Sequence, residues 1–200
     1  MVRGLASRYT LALEPAPSEQ AALVVRVLER EFVLRGAPYV LKLDNGPGFV
    51  AQEVKELCER YDVLLLYSPS YCPSYNGAIE ASNSWIKLDL AHLAQRFVAR
   101  SVAELLAATR DVRNTTGRPW GAADPTPAEC WEARSPLCEE TRARLLRGVK
   151  LCATKRRCLR ELAKGAALGH TEVAEIGRQI IPRALVEHGI LAIRRRRVSL

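Results

Sequence analysis

The sequence comprises 200 residues, of which 48% are hydrophobic, with a formal net charge of +8 and six cysteines. A chain of this length can bury one full core and a small second unit. No run of about 18 apolar residues is present, which excludes an evident membrane span. The scattered cysteines are too few for a disulfide scaffold, so we expect free thiols and a reducing, cytoplasmic location.

Positive charge is concentrated at the C-terminal end of the chain. Residues 1–140 carry 15 Lys and Arg against 18 Asp and Glu, a net charge of −3. Residues 141–200 carry 15 against 4, a net charge of +11. This distribution is typical of a globular domain joined to a segment that binds a polyanion, and equally of a solvated basic helix that has no partner.

Strands and helices alternate in the predicted elements of the first half. In chain order they are a strand at 8–13, a helix that Ser18 caps and Gly36 ends, a strand at 39–43, a helix at 49–61, a strand at 63–66, a loop at 67–77, and helices at about 78–97 and 101–114. Helical apolar spacing, short apolar runs and Pro/Gly/Ser-rich punctuation support these predictions. The alternation favours an α/β layer fold.

The second half is predicted to be mostly helical. A Pro/Gly-rich connector at 117–127 leads into a short helix that begins at Thr126-Pro127. A basic helix at 139–163, short helices at 171–178 and 182–188, and a strand at 190–198 follow. The last of these contains Arg194, Arg195, Arg196 and Arg197.

Two carboxylates occupy positions suited to metal binding. Asp44 ends a predicted strand and is followed by Asn45-Gly46, and Glu80 lies in the first turn of the long helix with 35 residues between the two acids. Strand ends in α/β folds open onto the ligand crevice, where an Asp and a Glu can hold Mg²⁺ together with phosphate oxygens. Taken alone, Asp-Asn-Gly is more often an ordinary turn.

Four segments in order resemble the catalytic core of retroviral-type integrases and insertion-sequence transposases. They are LASRY at 5–9, LDNGPGF at 43–49, SPSYCPSYNGAIEASN at 68–83 and NTTGRPWGAADPTPAECW at 114–131. The shared features are a DNG motif with a nearby aromatic residue, a Ser-Pro-containing loop, an Asn-Gly pair and a Glu. The resemblance covers about residues 1–131.

The resemblance implies a ribonuclease H-like fold that joins DNA ends with two Mg²⁺ or Mn²⁺ ions and three acidic residues. Asp44 and Glu80 would be catalytic metal ligands, Asn76 and Gly77 would form the mobile hinge before the Glu80 helix, and Asn76 would contact DNA. Lys87 would be the DNA-contacting lysine of the Glu80 helix, or else simply a solvated lysine. Self-association on paired DNA ends is also implied.

The sequence departs from the family pattern at the first catalytic aspartate. That residue belongs on a strand upstream of Ser7-Arg8, and no Asp or Glu precedes Ser7. The same strand is the centre of the family's sheet, so we expect two half-sheets with unpaired edges. The interpretation is a truncated core that lacks its first strand, or a mis-assigned start.

We therefore expect an α/β ribonuclease H-like integrase core at 1–135 and a basic, mostly helical region at 136–200. The second region is either a small winged-helix-like DNA-binding unit or an unstructured basic extension. The predicted function is DNA integration or transposition by strand transfer on DNA ends, inactive in this form. The alternative is a non-catalytic DNA-binding or subunit-interaction remnant.

Overall fold

A computed structural model describes residues 1–16, 18, 20–70, 72, 75, 77–96 and 100–192. The elements in chain order are β1 (Val2–Arg3), β2 (Thr10–Ala12), α1 (Ala21–Arg35), β3 (Val40–Leu43), α2 (Pro47–Val50), α3 (Gln52–Arg60), β4 (Leu64–Tyr67), α4 (Gly77–Arg96), α5 (Val102–Thr116), α6 (Pro127–Glu132), α7 (Glu139–Lys164) and α8 (His170–Glu187). In this part of the chain no helix is long and apolar enough to cross a membrane.

The strands form two separate pairs. β1 and β2 are antiparallel, while β3 and β4 are parallel with Val40 opposite Leu64 and Leu43 opposite Tyr67. Among the described residues no strand joins the pairs, which confirms the prediction of two half-sheets. The short β1 was not predicted, because two residues carry too little pattern to indicate a strand.

One face of the β3–β4 pair is covered by α1 and α3. Val54, Leu57 and Cys58 of α3 are almost fully buried there, and they pack in one cluster with Leu28 and Phe32 of α1. Apolar residues at helical spacing on both helices produce this packing. The crossover through α2 and α3 brings β4 back parallel to β3, as expected for a parallel strand connection.

The first helix ends as predicted but begins later. Gly36 adopts φ 83° and its N–H bonds to the carbonyl of Phe32, a conformation that glycine tolerates best. The predicted cap at Ser18 is wrong, because α1 starts at Ala21 after Gln20, which makes no side-chain capping bond. Apolar spacing identifies the buried face of a helix but leaves its first turn poorly defined.

The predicted helix at 49–61 is two helices. Ala51 has an extended conformation, φ −58° and ψ 151°, and separates α2 from α3. Pro47 at the first position of α2 starts the helix two residues earlier than predicted. The prediction of a single helix was wrong because apolar spacing continues across the break and does not reveal a change of axis.

α5 packs against β2, and α6 packs against α5. Ser101 with Glu104, and Thr126 with Glu129, form capping boxes that begin these two helices. The buried side chain of Asn114 in α5 accepts the Thr10 N–H at 2.8 Å and donates to the Thr10 carbonyl at 2.9 Å.

α7 and α8 form an antiparallel hairpin on the other face of β3–β4. Leu145 and Val149 of α7 and Ile176 and Ile180 of α8 are buried together, and the cluster includes Val40, Leu64 and Leu66 from the strands. Arg160 pairs with Glu175 and Lys164 with Glu172 near the turn of the hairpin. The basic C-terminal region thus shares a core with the strands.

The two predicted short helices at 171–178 and 182–188 are one helix, α8, with Pro182 inside it. Burial of Ile176, Ile180, Ile181 and Ala184 favours continuity, and this tertiary packing outweighs the helix-breaking tendency of proline. The predicted strand at 190–198 is wrong over 190–192, where the N–H groups of Ile190 and Leu191 bond to the Leu185 carbonyl. Residues 193–200 lie outside the described residues.

Arg142 fixes the start of α7 to both strands. Its side chain is 5% exposed. The guanidinium donates to the carbonyl oxygens of Ala37 at 2.6 Å, Pro38 at 2.9 Å and Asp62 at 3.2 Å. Because these carbonyls precede β3 and β4, one arginine ties the hairpin to the amino ends of the two strands.

Candidate active site

The predicted Asp-Asn-Gly turn lies directly after β3. The Asp44 carboxylate is exposed and accepts the N–H of Gly46 at 2.9 Å. Asn45 donates to the Ser68 carbonyl at 2.9 Å, and the Ser68 hydroxyl donates to the Leu43 carbonyl at 3.0 Å. These bonds hold the turn against the segment after β4, so Asp44 has a defined place at the carboxyl ends of the parallel strands.

Glu80 lies in the first turn of α4 and is exposed. α4 is fixed by packing against α5, where Asp89 accepts a hydrogen bond from Arg113. The helix-start position that the sequence predicted for Glu80 is confirmed.

A two-ion metal site does not fit the described side chains. No three His, Cys, Asp or Glu residues are gathered in that part of the chain. Two ions about 4 Å apart need several bridging and terminal oxygen ligands. A single Mg²⁺ needs fewer protein ligands, because it readily keeps several waters beside one or two carboxylates.

Of the predicted DNA-contacting residues, the structure describes Lys87 alone. Lys87 is exposed on α4, seven residues after Glu80. Two helical turns separate the two residues, so they share one face of the helix. Asn76 and Arg194, Arg195, Arg196 and Arg197 lie outside the described residues.

Two basic residues near the strand ends were missed by the sequence analysis. Lys42 of β3 donates to the Tyr75 carbonyl at 2.5 Å, and its ammonium lies 3.9 Å from the centre of the Tyr75 ring. Arg178 of α8 donates to the Tyr67 carbonyl at 3.3 Å. A lysine in the otherwise apolar strand 39–43 was a signal for the first, whereas no sequence pattern placed Arg178 here.

Burial shifts the pKa values of Lys42 and Tyr75 in opposite directions. It lowers the pKa of Lys42. It also raises the pKa of Tyr75, an effect that the positive charge of Arg178 partly opposes. The Tyr75 hydroxyl therefore stays protonated at neutral pH and can serve as a hydrogen-bond donor or acceptor.

Comparisons of sequence find viral polyproteins, although no family model matches the chain. The Gag-Pol polyprotein of avian reticuloendotheliosis virus is 32% identical over 105 residues, which cover 52% of this chain and 9% of the polyprotein. The Gag-Pol polyprotein of woolly monkey sarcoma virus is 36% identical over 106 residues, which cover 52% of this chain and 6% of the polyprotein. The chain thus matches less than a tenth of the length of these two relatives.

Comparisons of structure find retroviral integrases. The simian T-cell lymphotropic virus intasome in complex with a PP2A regulatory subunit superposes with a TM-score of 0.55 at 18% identity, covering 62% of this chain and 45% of that one. The HTLV-2 integrase catalytic core domain, in a dimeric form with magnesium, superposes with a TM-score of 0.53 at 17% identity. The superposition covers 64% of this chain and 79% of that domain. The fold predicted from the sequence, and its resemblance to retroviral-type integrase cores, are confirmed.

Proposed function

We propose, from this likeness to retroviral integrase cores, that the chain takes part in DNA integration or transposition as a DDE-type strand-transfer protein acting on DNA ends. The observation that carries the proposal is the placement of Asp44 immediately after β3 and of Glu80 in the first turn of α4. The same two positions carry the sequence motifs of the resemblance, and this agreement between element position and motif supports the proposal.

DNA is the proposed substrate because the charge of the chain suits a polyanion. The segment 141–200 has a net charge of +11. Lys87 is exposed two turns along α4 from Glu80, where it can contact a phosphate near that carboxylate. Binding through such contacts releases counterions and therefore weakens steeply with salt.

Asp44 and Glu80 are proposed to hold a single Mg²⁺ or Mn²⁺. The ion would supply Lewis-acid polarisation of a phosphodiester oxygen. The Gly46 amide, bonded to one Asp44 oxygen at 2.9 Å, orients that carboxylate and leaves the other oxygen for a ligand. Since the described residues fit no second ion, we expect this chain by itself to bind DNA ends without joining them.

A non-catalytic DNA-binding or subunit-interaction remnant is the second candidate. It is favoured because no group of three His, Cys, Asp or Glu side chains that could hold a metal ion is found among the described residues. Self-association is proposed for both candidates, since the HTLV-2 core has a dimeric form. The two candidates differ in whether Asp44 and Glu80 bind a divalent ion.

The test combines metal binding with DNA binding. Mn²⁺ binding to the 200-residue chain is measured by the relaxation of solvent water protons, for the wild type and for Asp44→Asn, Glu80→Gln and Glu53→Gln. Glu53 is the matched control, because it is an exposed glutamate in the first turn of α3. We expect weaker Mn²⁺ binding only in the first two variants.

The two parts of the test have distinct outcomes. Equal Mn²⁺ binding by all four proteins would contradict the metal site and favour the non-catalytic remnant. DNA binding is measured by fluorescence anisotropy with a labelled duplex end over a range of salt concentrations. Absence of salt-dependent binding would contradict the strand-transfer proposal and a DNA-binding remnant, because each requires phosphate contacts, and would favour a subunit-interaction remnant.

A further inference from the structure

Lys42 and Arg178 bring two positive charges from separate elements to the carboxyl ends of β3 and β4. Lys42 lies opposite Leu66 in the parallel register, and Arg178 donates to the carbonyl of Tyr67, the next residue. Val40 packs in the cluster of α7 and α8. Because side chains two apart on a strand share a face, Lys42 lies on the same side of the sheet as α8.

Neither cation forms an ion pair with a carboxylate among the described residues, although the charge of Arg178 adds to the larger effect of Arg160 in lowering the pKa of Glu175. Lys42 is half-buried and contacts the carbonyl and the ring of Tyr75. Arg178 is half-buried and uses one N–H on the Tyr67 carbonyl. Glu175, one helical turn before Arg178, already pairs with Arg160 at 3.0 Å. Both cations thus keep donors that protein carboxylates do not occupy.

Half-buried positive charges without a carboxylate are costly unless an anion compensates them. A phosphate group matches this pair, because a guanidinium can donate two parallel hydrogen bonds to it and an ammonium adds a compact charge. We propose that Lys42 and Arg178 clamp one phosphodiester group of bound DNA at the carboxyl ends of β3 and β4, beside Asp44. This inference rests on the proposed function and assigns the C-terminal helix α8 to the same DNA site.

The clamp predicts a specific loss of affinity. Lys42→Gln, Arg178→Gln and the double variant are compared with Arg183→Gln by fluorescence anisotropy on a labelled duplex end. Arg183 is the matched control, since it is an exposed arginine of the same helix with no described ion pair. One phosphate contact contributes about 0.9 to the log–log salt slope, or about eightfold in affinity at 0.1 M salt.

The double variant distinguishes one shared phosphate from two separate ones. We expect its slope to be flatter than the wild-type slope by about 0.9, the value for one phosphate, and Arg183→Gln to weaken binding by less than about twofold. A double-variant decrease near 1.8 would mean two independent contacts and would overturn the clamp. Equal losses of affinity in Arg178→Gln and Arg183→Gln would overturn it as well.

Controls separate the clamp from folding and from the proposed function. Lys42→Arg and Arg178→Lys keep the charges and should restore much of the affinity. Replacing chloride by inorganic phosphate at equal ionic strength should weaken DNA binding by the wild type more than by the double variant, because free phosphate competes with DNA for the clamp; equal weakening of the two would overturn the clamp. Wild-type binding without any salt dependence would contradict the proposed function, whereas steep wild-type binding with unaffected variants would contradict the clamp alone.

Discussion

Replacement of Arg142 by methionine should destabilise the whole chain, because this arginine joins the α7–α8 hairpin to the strands. The side chain is 5% exposed and donates hydrogen bonds to three backbone carbonyls, those of Ala37, Pro38 and Asp62. Methionine retains apolar volume but donates no hydrogen bond, so the three carbonyl oxygens lose a charged donor at once.

The expected decrease in the free energy of unfolding follows from the loss of three hydrogen bonds. Leaving one buried acceptor without its donor costs about 1–3 kcal/mol, so three give about 3–5 kcal/mol after partial access of water. For a chain of this size, about 2–4 °C of melting temperature is lost per kcal/mol, which predicts a decrease of about 10 °C. The Glu139 pair with Arg142 adds little, because the Glu139 side chain is 83% exposed.

The assay is urea unfolding of the full chain followed by far-ultraviolet circular dichroism. Arg144→Met is the matched control, two residues away on α7 and exposed, and it should change the free energy of unfolding by less than about 0.5 kcal/mol. Arg142→Lys should lie between the wild type and Arg142→Met, since an ammonium can keep some of the bonds. Equal stability of Arg142→Met and Arg144→Met would refute the reasoning.

Four further outcomes are expected. Asn114→Asp should lower the free energy of unfolding by about 2–3 kcal/mol in urea unfolding, because a carboxylate cannot donate to the Thr10 carbonyl. An unchanged free energy of unfolding would contradict the role of this amide. At neutral pH, Cys138 should react with a thiol reagent faster than Cys58, because Cys138 is exposed and the amide and hydroxyl groups of Thr141 lower its pKa, while burial raises the pKa of Cys58 to about 11. Labelling followed by mass spectrometry measures both rates, and the reverse order would contradict this expectation. Replacing Arg194, Arg195, Arg196 and Arg197 by alanine should flatten the salt slope of DNA binding by about 0.9 for each phosphate that these arginines neutralise, and an unchanged slope would contradict their role. The 200-residue chain should not join DNA ends with Mn²⁺ in a strand-transfer assay, and metal-dependent joining that Asp44→Asn abolishes would contradict this.

The sequence predicted the elements that carry strong local signals. The cap and proline at Thr126-Pro127 located α6, and Gly36 located the end of α1. The positions of Asp44 at a strand end and Glu80 at a helix start were also predicted, because short motifs fix them locally. Signals within one turn of helix or one strand are sufficient for such features.

Features that depend on distant contacts were not predicted. The continuity of α8 through Pro182 depends on burial against α7 and the strands. The hydrogen bond from Arg178 to the Tyr67 carbonyl joins residues that are 111 positions apart in the sequence. The bonds of Arg142 to the segments before β3 and β4 are of the same kind. Spacing patterns within one segment contain no information about which other segment will pack against it.

The open side of β3 has a consequence for how this protein behaves in solution. The carbonyls of Tyr39 and Leu43 accept bonds from Leu64 and Ser68, so by alternation the backbone groups of Val40 and Lys42 face the other edge. No strand is paired at that edge among the described residues. Backbone groups of this kind are templates for another extended chain. Losses of protein during purification should therefore grow faster than in proportion to concentration, and dilution should reduce them.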